Sequence, residues 1–72
     1  MDNQRFAARL KQLMEKENIS KQDIVKHFDI STSAINSWLS GKKIPKWDLL
    51  FHLADYFHVS LSVLLGIDEL IS

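Results

Sequence analysis

The stretch from Ile30 to Lys43, ISTSAINSWLSGKK, combines small hydrogen-bonding side chains with a few large apolar ones. Ser, Thr and Asn side chains donate and accept hydrogen bonds without carrying charge at neutral pH. Ile35, Trp38 and Leu39 recur at helical spacing, which predicts that one face of this segment is buried. The chemistry available to the opposite face is recognition through neutral hydrogen bonds, by Thr32, Ser33, Asn36, Ser37 and Ser40.

Four lysines lie close to this polar face along the chain: Lys21 before it, and Lys42, Lys43 and Lys46 after Gly41. Residues 1–47 contain nine basic and five acidic residues, a net charge of +4, whereas residues 48–72 contain four acidic residues and no Lys or Arg. Such asymmetry between halves indicates a nucleic-acid partner, because lysine ammonium groups bind phosphate oxygens. Solvation of exposed lysines, or chance in a short chain, is the alternative.

Other classes of protein are disfavoured by composition. A chain of 72 residues with 46% hydrophobic residues predicts one domain with its own core, and the absence of cysteine excludes disulfides and thiolate zinc sites. There is no apolar run of ~18 residues and no signal-peptide pattern, so we expect a cytoplasmic protein without a membrane span. The histidines lack metal-ligand spacing and no serine lies in a strand–turn–helix nucleophile elbow, so we expect no metal, cofactor, small-molecule ligand or enzymatic activity.

Helical periodicity runs through the chain, and no strand pattern or repeat is evident. Ser20, Ser31 and Ser60 are candidate N-caps, while Gly41 and Gly66 end the third and fifth helices. The fold class predicted is therefore all-α, a compact five-helix bundle with helices at about 4–17, 21–28, 32–40, 47–57 and 61–65.

Three segments share their order, their spacing and the placement of their helix-capping and helix-breaking residues with a known family: RLKQLMEKENIS, SKQDIVKHFDISTSAINSWLSGKKIP and LLFHLADYFHVSLSVLLG. On these segments, residues 9–65 resemble the Cro/cI-type (Xre family) helix-turn-helix domain of bacterial and phage transcriptional regulators. The resemblance implies a lambda-repressor-like DNA-binding domain over residues 1–66, with the helix-turn-helix motif at about 21–40 and a C-terminal tail at 67–72.

The resemblance also implies that the helix at about 32–40 lies in the major groove of double-stranded DNA. Asn can bind adenine N6 and N7, and Ser or Thr can contact several bases. We therefore expect base reading by Thr32, Ser33, Asn36 and Ser37. Phosphate contacts are expected from Lys21, Ser31, Ser40, Lys42, Lys43 and Lys46. A merely solvated polar face is the alternative.

The chain departs from the family pattern at several positions. Gln is common at the starts of both motif helices, where this chain has Lys21 and Thr32, and the family glycines at two helix ends are Asp29 and His58 here. Neither Arg nor Gln lies on the reading face, so the strong contact to guanine is missing. We infer weaker or shape-assisted specificity, for A·T-rich sites.

Two further expectations concern residues outside the reading face. Trp47, beside Pro45, is expected to pack over the end of the helix at about 32–40, the recognition helix. Arg5, Arg9 and Lys11 are expected to be surface charges, with pairing to a nearby acid as the alternative for Arg9.

Residues 48–72, the acidic end of the chain, contain more apolar residues than are needed to give each helix one buried face. Surplus exposed apolar surface marks a partner site. We expect a homodimer through the fifth helix and the tail, placing two recognition helices ~34 Å apart on a near-palindromic operator. The alternative is that the tail folds back over its own core. The surplus comprises Phe51 and Tyr56 together with the tentative dimer interface, Val63, Ile67, Leu70 and Ile71.

The function that the sequence favours is a sequence-specific, double-stranded DNA-binding transcriptional regulator, most simply a repressor that occupies its operator. One alternative is a protein-interaction module, such as an antitoxin or an antirepressor partner. Another is the N-terminal part of a larger repressor.

Overall fold

A computed structural model of the chain describes residues 2–69. All regular secondary structure in this part is helical, which confirms the predicted all-α fold, and each helix end lies within one residue of its predicted position. None of the helices described has the length and apolar character needed to span a bilayer. The helices are α1 (Asn3–Glu17), α2 (Lys21–Phe28), α3 (Thr32–Leu39), α4 (Trp47–Tyr56) and α5 (Leu61–Leu64).

Serine side chains cap three of the helices, as the sequence predicts. The Ser31 and Ser60 hydroxyls accept hydrogen bonds from the third backbone N–H that follows each, at 3.1 and 3.2 Å. Ser20 forms a capping box, in which its hydroxyl accepts from the Asp23 N–H and its own N–H donates to the Asp23 carboxylate at 2.9 Å. This backbone bond is the main reason that the pKa of Asp23 lies below its ordinary value. The starts of α2, α3 and α5 are thus fixed locally.

Two helices are followed by residues in the left-handed backbone conformation, at positions where the Cro/cI-type family has glycine. Asp29 follows α2 with φ 53°, and His58 follows α4 with φ 58°. Asp visits this region more readily than most residues, whereas His58 adopts it at a steric cost. The family's chain turns are therefore retained here without the glycines.

The core lies where α1 packs against α3 and α5, α2 packs against α3, and α4 packs against α5. Each helix contributes buried apolar residues. Of the apolar residues predicted to face inward in α3, Ile35 is 0% and Trp38 5% exposed, and Leu39 is partly buried. The buried cluster consists of Phe6, Leu10, Leu13, Ile24, Ile35, Trp38, Leu50, Leu53, Ala54, Phe57, Leu64 and Leu65.

Two aromatic residues of α4 differ from expectation. Tyr56, predicted to be surplus, is half-buried, with its ring centroid 4.6 Å from that of His27 and 5.3 Å from that of Phe28. Trp47 is 54% exposed, with its ring 6.3 Å from that of Phe51, which does not fit the expected packing over the end of α3. Tyr56 therefore joins α2 to α4, while Trp47 and Phe51 form an exposed aromatic pair.

Candidate nucleic-acid interface

Helix α3, the predicted recognition helix, divides into an apolar and a polar face. Ile35 and Trp38 are buried, and they hold α3 against the core. Thr32, Ser33 and Asn36 are exposed on the polar side, whereas Ser37 is half-buried. Three of the four predicted base-reading residues thus lie at the surface, on a helix whose orientation is fixed by its buried side.

Lys21 and Asn36 meet between the two helices of the motif. The Lys21 Nζ donates a hydrogen bond to the Asn36 Oδ1 at 2.9 Å. Lys21 is the first residue of α2, and Asn36 lies in the second turn of α3. A predicted phosphate contact and a predicted base contact are therefore joined in one polar pair, which the spacing of the sequence did not indicate.

The loop after α3 folds back on the end of that helix. The backbone N–H groups of Lys42 and Lys43 donate to the Ser37 carbonyl at 3.0 and 3.3 Å. The side chains of Lys42, Lys43 and Lys46 are all exposed. The bonds to Ser37 hold the lysine-rich loop beside the C-terminal end of α3.

The first turn of α1 supports the same loop. Gln4 Nε2 donates to the Ser40 carbonyl and Asn3 Nδ2 to the Lys42 carbonyl, both at 3.4 Å. Between them, Gly41 has φ 80°, and a Cβ at this position would collide with the Gln4 side chain. These α1 residues were not predicted to take part in the site, and only the glycine in the loop signalled that another part of the chain approaches closely.

The two serines predicted to contact phosphate already have partners. The Ser31 hydroxyl accepts from the Ala34 N–H, and it retains its own hydrogen to donate. The Ser40 hydroxyl donates to the Ser37 carbonyl at 3.1 Å, so it would have to rotate before donating to a phosphate. Ser31 is therefore ready for an anion at the start of α3, and Ser40 is less so.

The chain after α5 is tied to α1. Arg9 is half-buried, and its Nη1 donates to the carbonyls of Val63 at 2.6 Å and Asp68 at 3.1 Å. The expectation of a surface charge, or of pairing to an acid, is wrong for Arg9, because backbone carbonyls are its partners. Arg5, by contrast, is exposed, as expected.

The predicted dimer residues are only partly within the described chain. Val63 is half-buried and Ile67 is 64% exposed. Leu70 and Ile71 lie outside the described residues. Of the two members of this set that the structure describes, Ile67 offers an exposed apolar side chain.

Comparisons with known proteins agree with this geometry. A family model for a helix-turn-helix domain matches residues 5–65. A transcriptional activator of Enterococcus faecalis, the helix-turn-helix-type protein BcrR, is 31% identical over 67 residues. That match covers 93% of this chain but 33% of the relative, so the chain spans about one third of the relative's length. No solved structure gives a significant match.

The family match spans both motif helices and the core that holds them. It confirms the resemblance noted from the sequence, and the Cro/cI type is a close description of it. The chain belongs to the helix-turn-helix family of DNA-binding domains.

Proposed function

We propose that this chain reads a specific double-stranded DNA sequence with α3 in the major groove. One observation carries the proposal: the exposed face of α3 offers small hydrogen-bonding groups, and lysines border it from α2 and from the following loop. Base edges are read by hydrogen bonds, whereas phosphates supply affinity. The base-reading set is Thr32, Ser33, Asn36 and Ser37, and the phosphate set is Lys21, Ser31, Ser40, Lys42, Lys43 and Lys46.

Affinity should depend strongly on salt if these lysines bind phosphates. Each neutralised phosphate of B-DNA contributes a slope of about −0.9 to the logarithm of the binding constant against the logarithm of the salt concentration. Four lysines in each protomer then predict a slope of roughly −3 to −4 for one domain and about twice that for a dimer.

We propose further that two copies bind a near-palindromic operator through the chain after α5. The exposed Ile67 supports this arrangement. Arg9, which ties the segment from Val63 to Asp68 onto α1, would give the dimer a fixed geometry. Symmetric half-sites would follow from a two-fold axis.

The simplest regulatory outcome is repression by occupying the operator. Activation is the second candidate, because the Enterococcus relative is named as an activator. Repression and activation can be distinguished with two reporters that carry the DNA sequence selected by the protein. One reporter has the site overlapping the promoter, and the other has it upstream of the promoter. Repression predicts loss of output at the first position, and activation predicts gain at the second.

A protein-interaction module is the competing function. Three exposed apolar side chains, Trp47, Phe51 and Ile67, favour it, since exposed apolar surface attracts protein partners. Binding through such a surface would change little with salt, whereas DNA binding would fall steeply.

The deciding experiment is selection of bound sequences from a random duplex pool at low and at moderate salt. An enriched near-palindrome would support sequence reading and the dimer together, and the half-site spacing would give its geometry. A variant with Lys42, Lys43 and Lys46 changed to alanine should lose most binding. Lys16→Ala, at the exposed end of α1, is the matched control. Absence of any enriched sequence would refute the proposal.

A further inference from the structure

We propose that Lys21 and Asn36 act as one hydrogen-bond-donor unit that selects guanine at one position of each half-site. The inference rests on the proposed major-groove reading by α3. It adds a base contact to the phosphate contact proposed for Lys21, and it replaces the expectation that Asn36 favours adenine. The Lys21 Nζ to Asn36 Oδ1 bond of 2.9 Å is the observation that leads to it.

The bond orients the amide of Asn36. An asparagine side chain has one acceptor oxygen and a nitrogen with two donor hydrogens. Because the oxygen faces the lysine, the nitrogen, at the other corner of the planar amide, points away from the lysine and can donate to another group. The lysine has three donor hydrogens and uses one of them on Oδ1, so two more remain. The pair thus offers donors from both side chains.

The major-groove edges of the four bases differ in their match to such a pair. Guanine presents two acceptors, N7 and O6, whereas adenine presents one acceptor and the donor N6–H2. Cytosine presents a donor, and thymine presents one acceptor beside a methyl group. The ammonium group beside Oδ1 repels a donor such as adenine N6–H2, so the pair complements guanine best.

The position of the pair is compatible with contact to a base. Both side chains are exposed, and α2 packs against α3 so that the lysine reaches the polar face from the neighbouring helix. The reading face of α3 lacks Arg and Gln, which usually contact guanine or adenine. Lys21 supplies from α2 the cationic donor that α3 lacks.

The test compares selected sequences for the wild type, Asn36→Ala and Lys21→Met. Lys26→Met is the matched control, because Lys26 is exposed on the same helix and is outside the proposed contact set. The base position at which Asn36→Ala relaxes the preference identifies the contact of the pair. We expect guanine there for the wild type, preferred about 5- to 150-fold as for a good bidentate contact.

Lys21→Met should remove the guanine preference at this position and shift it toward adenine, because Oδ1 becomes available to accept from N6–H2. The preference at the other positions should stay, as it should everywhere for Lys26→Met. Unchanged melting temperatures would exclude unfolding as the cause. In the free protein, Lys21→Met should also shift the side-chain amide resonances of Asn36.

Two results would overturn the inference while leaving the proposed function intact. One is an enriched site at which Lys21→Met lowers the affinity for all sequences equally, which would return Lys21 to a phosphate contact. The other is adenine as the wild-type preference at the Asn36 position. A wild-type pool without any enriched site would instead refute the proposed function, and the inference with it.

Discussion

Helices α3 and α4 both bury an apolar face, but the chemistry of their exposed faces differs. In α3, Ile35 and Trp38 are buried, and in α4 the buried residues include Leu50 and Leu53. The outward side of α3 carries uncharged hydroxyl and amide groups, while that of α4 carries the aromatic pair Trp47 and Phe51 with Asp48 and Asp55. The buried faces build one core, and the exposed faces suit different partners.

The comparison shows which part of each helix determines function in a small domain. Apolar stripes could be exchanged for others of similar volume with little change of fold. Under the proposed function the exposed faces could not be exchanged, because acidic residues on α3 would repel phosphates and hydroxyls on α4 would remove its apolar surface. Paired substitutions on the two helices test this difference through their effects on stability and on DNA binding.

The largest effect should come from the two tryptophans. Trp38→Ala should lower the free energy of unfolding by ~3–5 kcal/mol, because it removes a buried aromatic ring. Trp47→Ala should cost about 1 kcal/mol or less, since its ring is 54% exposed and packs beside Phe51. Urea unfolding of both variants measures the difference. Equal losses would show that the exposed pair on α4 is part of the core.

The second effect concerns reading of DNA. Asn36→Ala should cost ~1–3 kcal/mol of binding free energy on the selected site and much less on random duplex. His52→Ala, an exposed change on α4, should alter neither. Fluorescence anisotropy with both duplexes provides the measurement. A similar loss for Asn36→Ala on the two duplexes would remove its reading role.

The starts of the two helices allow a third comparison. Ser31 accepts a hydrogen bond from a backbone N–H of α3, whereas Lys46 makes no side-chain cap for α4. Ser31→Ala should therefore lower the free energy of unfolding by about 0.5–2 kcal/mol, and Lys46→Ala should leave it nearly unchanged. Thermal unfolding without DNA tests both variants. A larger loss for Lys46→Ala would contradict the assignment of the caps.

The smallest effect is expected at a single lysine of the loop after α3. Lys43→Ala should weaken binding to all duplexes alike and make the salt slope shallower by about 0.9, as one phosphate contact is lost. Lys16→Ala, at the end of α1, should keep the slope of the wild type. Titrations at four salt concentrations measure it. A slope unchanged by Lys43→Ala would assign that side chain to solvent.

Local features of the fold could be predicted from the sequence because the residues that determine them are neighbours. The Ser20 and Asp23 capping box, and the cap at Ser31, lie within three or four residues of the N–H groups they bind. The burial of Ile35 and Trp38 follows from their spacing on one helix. The location of the polar face on α3 follows from the same pattern.

Contacts between distant segments could not be predicted in this way. Arg9 binds the carbonyls of Val63 and Asp68, more than 50 residues away. Carbonyls are present at every residue, so composition does not signal such a bond. The Lys21–Asn36 pair likewise depends on how α2 crosses α3, which neither segment encodes alone.

The left-handed conformations at Asp29 and His58 bear on how this domain can evolve. A side chain in that region costs about 1–2 kcal/mol in general and less for Asp, so glycine at these two positions would relieve strain. Both positions lie at helix ends outside the recognition helix. The domain therefore retains an unused margin of stability. A lineage that acquired either glycine could tolerate costlier substitutions on α3, and thereby reach new operator sequences without unfolding.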